Sequence, residues 1–194
     1  MGMSKRWIIC GLLTIMLLGI TGLVESQSVT ASDNFKQEFL SRINKVRTVG
    51  CSCGKKYYPP APPLTWNNTL EIAAQGHAQD MNFHNYFSHT SKDGRNSEDR
   101  IVAAGYYFNG YRSFAVGENI AYGQQSIAEV NDGWFKSVGH CQNLMNPQFK
   151  EIGIAHNGLY WVEDFGGRES FTPEEQKLIK QGNVRLIIKK ERSE

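Results

Sequence analysis

The sequence predicts an α/β mixture in which helices cover a small antiparallel sheet. Two stretches, residues 32–49 and 68–83, repeat apolar residues at the three-to-four spacing of an amphipathic helix. A third, residues 152–165, alternates on either side of Asn157-Gly158, the two-residue turn that favours a tight hairpin. Helices interleaved with a few antiparallel strands bury their apolar faces by packing on the sheet.

The 194-residue chain opens with Lys5 and Arg6, an almost wholly apolar run from Trp7 to Val24, and the polar Glu25-Ser26-Gln27-Ser28. This is the layout of a secretory signal peptide, assigned to residues 1–26. An uncleaved membrane anchor is the alternative, since the run approaches the ~18 residues of a span. Gly11, Thr14, Gly19 and Thr21 dilute it and favour cleavage. Cys10, beside Ile8 and Ile9, lacks the neighbours of a lipid-modified cysteine.

Ser32 is placed to cap a helix running to about Val49, with Phe35, Phe39, Leu40, Ile43 and Val46 on one stripe and Gly50 beyond its end. Residues 59–63 hold four of the six prolines and read as an extended spacer. The next helix, from about Asn68 to Phe83, turns Leu70, Ala73, Ala74, His77 and Met81 to the core; His77 reads as a packed, hydrogen-bonded core histidine. A short helix follows Asn96 or Ser97 and ends at Gly105. The aromatic-rich stretch 106–115 is a strand or an ordered loop, its rings core or the lining of a lipid groove. Ser126 and Glu129 form a capping box for a helix whose buried stripe is Ile127, Val130, Trp134 and Val138.

After the hairpin, Thr172-Pro173-Glu174-Glu175 starts a last helix that Gly182 closes. Residues 184–188 suit a strand, and 189–194 a frayed charged tail. Residues 32–168 are thus one domain, long enough to bury about two thirds of its unfolded surface. Residues 169–194 form a terminal helix and tail with no functional reading.

The net charge of +2 falls to +1 when residues 1–26 leave with Lys5, Arg6 and Glu25, so nothing favours nucleic-acid binding. Hydrophobic content of 40% is ordinary. Export permits disulfides. Cys51, Cys53 and Cys141 then remain, and Cys51 and Cys53 are too close in sequence to bridge without strain. One of the two pairs with Cys141, closing a long loop worth roughly 3–5 kcal/mol. A zinc site of Cys51, Cys53 and His140 has the wrong spacing for a zinc finger.

Three segments carry candidate chemistry. They are Phe87-Ser88-His89-Thr90 with Asp93-Gly94-Arg95, then Gly117-Glu118-Asn119-Ile120-Ala121, then Gly139-His140-Cys141-Gln142-Asn143. Two imidazoles and a carboxylate make a metal or acid/base site if the fold unites them. Each also has a plain structural explanation. His89 can bond within its own loop, Glu118 can accept from nearby backbone, and His140 can satisfy helix-end carbonyls.

These segments occur with Ile43-Asn44-Lys45-Val46-Arg47, Pro63-Leu64-Thr65-Trp66-Asn67, His77-Ala78-Gln79-Asp80-Met81, Gly133-Trp134-Phe135, Met145-Asn146-Pro147 and Tyr160-Trp161-Val162-Glu163-Asp164-Phe165-Gly166. In this order, from about Phe39 to Gly166, the chain resembles the CAP superfamily of cysteine-rich secretory, antigen-five and plant pathogenesis-related proteins, in its bacterial SCP-like branch. The resemblance implies a three-layer α-β-α sandwich with a central antiparallel sheet. A shallow cleft would hold His89, His140 and Glu118, and Cys53 would bridge to Cys141. The family cleft usually adds a second glutamate on the helix carrying Trp134, where this chain has Ser137. Glu129, the nearest carboxylate, already has a capping role. Losing one carboxylate weakens divalent-metal affinity and removes a general base.

The favoured reading is a binding domain without turnover, secreted or held in a periplasm or at a cell surface. It would hold zinc or another divalent cation weakly and present a surface to an unknown ligand, a lipid or a cell-envelope component. One alternative is a hydrolase, working through metal-bound water or through Ser88 or Ser137 with a histidine base. Neither Gly-x-Ser-x-Gly nor His-Glu-x-x-His occurs to support it. The other is lipid or sterol binding.

Overall fold

The computed structural model describes residues 31–108 and 110–182. The expected signal peptide, the strand at 184–188 and the charged tail lie outside the described residues.

Helix α1 (Ala31–Arg47) buries Phe39 and Ile43 as expected but ends two residues early. Gly50, at φ 87°, takes the left-handed backbone that turns the chain into β1 (Cys51–Cys53) and β2 (Lys56–Tyr58). This small hairpin was not legible in the sequence. Its strands have three residues each, and its turn rests on Gly54 at φ 63°. The prolines of 59–63 offer no backbone donor, so the next strand, β3 (Thr65–Trp66), starts only after them and has two residues. Asn67 then caps α2 (Asn68–His84), accepting from the Thr69 and Leu70 amides.

Helix α3 (Ser97–Ala103) has the expected start, a capping box of Asn96 and Asp99. The stretch 106–115 is only partly strand: β4 spans Tyr111–Tyr122 and takes in Glu118. Its strand character was hidden because Glu118 and Asn119 are successive polar residues buried on opposite faces, which breaks the usual alternation. Helix α4 (Ile127–Lys136) starts at the Ser126 cap, but the Glu129 carboxylate reaches the Gln125 amide rather than that of Ser126 itself. Ser137 is extended, at ψ 127°, and breaks the expected continuous helix. A new helix, α5 (Val138–Leu144), starts after this break, and Val138 is 49% exposed instead of joining the buried stripe. The hairpin of β5 (Glu151–Asn157) and β6 (Tyr160–Ser170) turns at Asn157-Gly158 as expected, and β6 runs two residues past 168. Helix α6 (Pro173–Lys180) begins with its capping box.

The sheet has the order β3-β5-β6-β4. Its three long strands are antiparallel, but the short edge strand β3 pairs parallel to β5, which makes the expected antiparallel sheet a mixed one. Helices cover both faces. On one, Phe39 and Ile43 of α1, Val130 and Trp134 of α4 and Leu144 of α5 pack on Ile152, Ile154, Trp161 and Phe165. On the other, Ala74, Ala78 and Met81 of α2 lie on Ile120, Ala155, Tyr160 and Val162. Gly153 makes that second contact close, because a Cβ there would run into the backbone of Leu70 and Glu71. The β4–β6 register sets Glu118 opposite Asp164 and Asn119 opposite Glu163, and so places polar pairs inside both layers. No helix among the described residues is long and apolar enough to cross a membrane.

Candidate functional site

His89 lies in the loop between α2 and α3, Glu118 on β4 and His140 on α5. The fold brings all three segments to one place. A cleft of about 420 Å³ is lined by His89 and His140 together with Ser88, Gln124, Trp134 and Ser137. That volume lies within the range of small-ligand sites.

Glu118 does not line this cleft. It sits beneath His89, almost wholly buried, with one carboxylate oxygen 2.7 Å from His89 Nδ1 and the other 2.5 Å from an Arg100 amino group. A carboxylate at this distance accepts a hydrogen bond from Nδ1–H, which favours the tautomer with its lone pair on Nε2. Burying Glu118 demands a counter-charge, and Arg100, itself 5% exposed, supplies it. The same guanidinium donates to the His89 carbonyl, the Ser91 hydroxyl and the Arg95 carbonyl, each at 3.0 Å. Arg100 therefore fixes both the loop carrying His89 and the carboxylate that orients it.

A second chain of bonds holds the same loop from α2. His77 Nε2 donates to the Ser88 carbonyl at 2.9 Å, and the Ser91 hydroxyl reaches His77 Nδ1 at 3.4 Å. His77 is fully buried, as the sequence suggested, and burial holds its pKa below the usual histidine value. It stays neutral and acts as a strut.

His140 is held through the other layer. Asn119 donates to the His140 carbonyl at 3.2 Å and to the Glu163 carboxyl at 2.8 Å. Asn143 donates to Asn119 at 2.9 Å and to the Glu118 carbonyl at 3.2 Å. The Cys53–Cys141 disulfide ties the residue after His140 to β1. Burial, and then the nearby His89, lowers the His140 pKa, so its imidazole is neutral and a potential ligand at physiological pH.

Two more acids lie beneath the site. Burial pushes Glu163 up to about 8. Burial and then the nearby Glu118 carboxylate raise Asp164 well above an ordinary carboxyl. Arg47, expected only as part of a helix, is also buried, and its guanidinium donates to the carbonyls of Pro62, Leu144, Asn146 and Phe149.

The remaining candidates fall on both sides of the cleft wall. Ser88 and Ser137 line it, but the Ser88 hydroxyl oxygen accepts from the Thr90 amide at 3.0 Å. Glu129 is in the α4 cap and is not among the lining residues. The bridge to Cys141 engages Cys53, one of the two sulfurs that a zinc site with His140 would need. Among the described residues, Cys51, Cys53 and Cys141 are the one group of three or more potential ligand atoms within 4.8 Å of one another; His89, His140 and Glu118 do not form such a group. Sequence reasoning missed Arg100, Asn119 and Glu163. The signal for Arg100 was indirect: a buried Glu118 requires a cation, but nothing in the sequence says which one.

A three-layer fold with paired histidines over a buried glutamate defines a class of small cleft-bearing domains. The model of the CAP family, described as the cysteine-rich secretory protein family, matches residues 40–162, and the chain belongs to that family. It is 35% identical over 108 residues to the uncharacterized protein YkwD of Bacillus subtilis (strain 168), which covers 55% of this chain and 40% of that protein. Among solved structures it is similar to an extracellular protein containing a SCP domain from Bacillus anthracis str. Ames, with TM-score 0.53 and 25% identity, covering 72% of this chain and 44% of that one. An outer surface protein of Borrelia burgdorferi shares the fold, with TM-score 0.54 and 20% identity over 71% of this chain and 92% of that one. The chain thus spans about 40% of the length of the curated Bacillus relative.

Proposed function

We propose that this CAP-domain protein works outside the cytoplasm as a binding module whose cleft holds a divalent cation, zinc in the first instance, between His89 and His140. One observation carries the reading. The Glu118 carboxylate accepts a hydrogen bond from His89 Nδ1–H, which leaves Nε2 as a ligand in the same cleft as a neutral His140. Glu118 orients and does not coordinate, since both its oxygens are engaged. Ser137 adds no anionic ligand to the two imidazoles, so water completes the coordination and the affinity is modest.

Two features favour a further ligand beside the metal. Trp134 Nε1 and Gln124 Oε1 belong to lining residues, are buried, and have no hydrogen-bond partner among the described residues. An unpaired donor and acceptor in the cleft wall favour a small polar group from a cell-envelope component, which the wall side chains would turn to meet. The extracellular and outer-surface relatives support the location. The Ser88 hydroxyl meets the Thr90 amide rather than a histidine base, which favours binding without turnover over hydrolysis.

Thermal unfolding with and without zinc tests the proposal. Zinc raises the melting temperature of the native protein. Glu118→Gln keeps the shape but not the charge, and weakens zinc about 10- to 100-fold. A melting temperature indifferent to zinc rejects the reading.

A further inference from the structure

The sulfur cluster at the base of α5 holds one cysteine more than a single bridge needs. Cys51 and Cys53 are two residues apart on β1 and so point to the same side of the strand. Both face Cys141 on α5. Cys53 and Cys141 form the disulfide and are 1% and 0% exposed, whereas Cys51 keeps a free thiol and is partly exposed. The Cys51 sulfur lies 3.8 Å from that of Cys141, and all three sulfurs fall within 4.8 Å of one another. The surroundings are apolar, with Val46, Tyr58, Phe135 and Met145 packed around them.

Solvent thiols therefore meet an asymmetry. Both bridge cysteines are shielded, and the one partly exposed cysteine of the cluster is in contact with them. We propose that Cys51 is a thiol–disulfide exchange site, through which dithiols and disulfides from solvent reach the buried Cys53–Cys141 bridge. The Cys51 thiol gives its proton to solvent, and its sulfur attacks the Cys141 sulfur. The Cys51–Cys141 bond forms as the Cys53–Cys141 bond breaks, and Cys53 leaves as a thiolate that takes up a proton. No electrons are gained or lost in this step. An external dithiol then attacks the sulfur of the partly exposed Cys51 and releases Cys141. Its own second thiol closes to a cyclic disulfide and frees Cys51, so the dithiol is oxidised and the protein bridge reduced.

The bridge can thus move two residues along β1 while α5 stays tied to the hairpin. Because Cys141 follows His140, the choice of bridge acts on the segment that carries a cleft residue. Burial raises the Cys51 thiol above its ordinary value, so exchange is slow near neutrality and faster in mild base.

The test uses the full chain with Cys10→Ser throughout, so that three sulfurs remain. The protein is incubated at about pH 8.5, quenched in acid and alkylated with N-ethylmaleimide. Fragment-ion mapping then places the label on Cys51 or on Cys53. Label appearing on Cys53 over time, from a start on Cys51 alone, is the expected result. Reduction by excess dithiothreitol is then followed in this protein and in Cys51→Ser, and the variant is expected to be at least about tenfold slower. Label confined to Cys51, or equal reduction rates, overturns the proposal. Cys53→Ser gives an independent check. It should fold with a Cys51–Cys141 bridge and no titratable thiol, and two free thiols in the folded variant would also overturn it.

Discussion

Glu163→Gln separates a buried proton from the rest of the fold. Glu163 lies opposite Asn119 on the inner face of the sheet, 0% exposed, and burial lifts its carboxyl from 4.5 to about 8 against the Asn119 hydrogen bond and the Arg47 charge. Between those values the folded chain holds a proton that the unfolded chain has released. The native state binds more protons in this window, so this contribution to stability is complete below about pH 4.5 and lost as pH rises through about 8. At about 1.36 kcal/mol per pH unit, the loss between pH 5 and pH 8 integrates to about 3–4 kcal/mol. Glutamine has the shape of the protonated acid, can still accept from Asn119, and does not titrate. Urea unfolding at pH 5, 6, 7 and 8 therefore yields a free-energy difference between variant and native protein that moves by about 3–4 kcal/mol in favour of the variant. Parallel curves, with a difference constant across the range, would refute the reasoning and place an ionised Glu163 in the core.

Other perturbations follow from named contacts. Arg100→Met leaves Glu118 buried without its cation and should cost about 3–5 kcal/mol in urea unfolding, with a parallel loss of zinc affinity as His89 loses its support. Gly153→Ala drives a methyl group into the α2 backbone and should cost more than about 3 kcal/mol or prevent soluble expression, although the same exchange at the open Gly139 should do neither. Ser137→Glu places a carboxylate on the cleft wall beside His140 and should tighten zinc at least about tenfold in a competition titration.

The helices and the long hairpin were legible because each carries its own signal. α2 repeats Leu70, Ala74, His77 and Met81, and Asn157-Gly158 marks the turn between β5 and β6. The β1–β2 hairpin and β3 were not, since strands of two or three residues hold no period to detect. The break at Ser137 was missed because the apolar spacing of Ile127, Val130, Trp134 and Val138 continues across it, although the backbone does not. Within the site, His89, Glu118 and His140 stood out as residue types. What each one does depends on partners distant in sequence: Arg100 for Glu118, and Asn119 and Asn143 for His140. Such pairings are set by the register of β4 on β6 and by the packing of α3 and α5, and no local pattern encodes them.

The central claim is that His89 and His140 together hold a metal. Isothermal titration of zinc into the purified protein, beside a His89→Ala, His140→Ala double variant, tests it most directly. Binding near one zinc per chain that the double variant loses while still folded is the expected result. Equal binding by the two proteins, or none by either, would contradict the account and leave the cleft as a surface for an organic ligand alone.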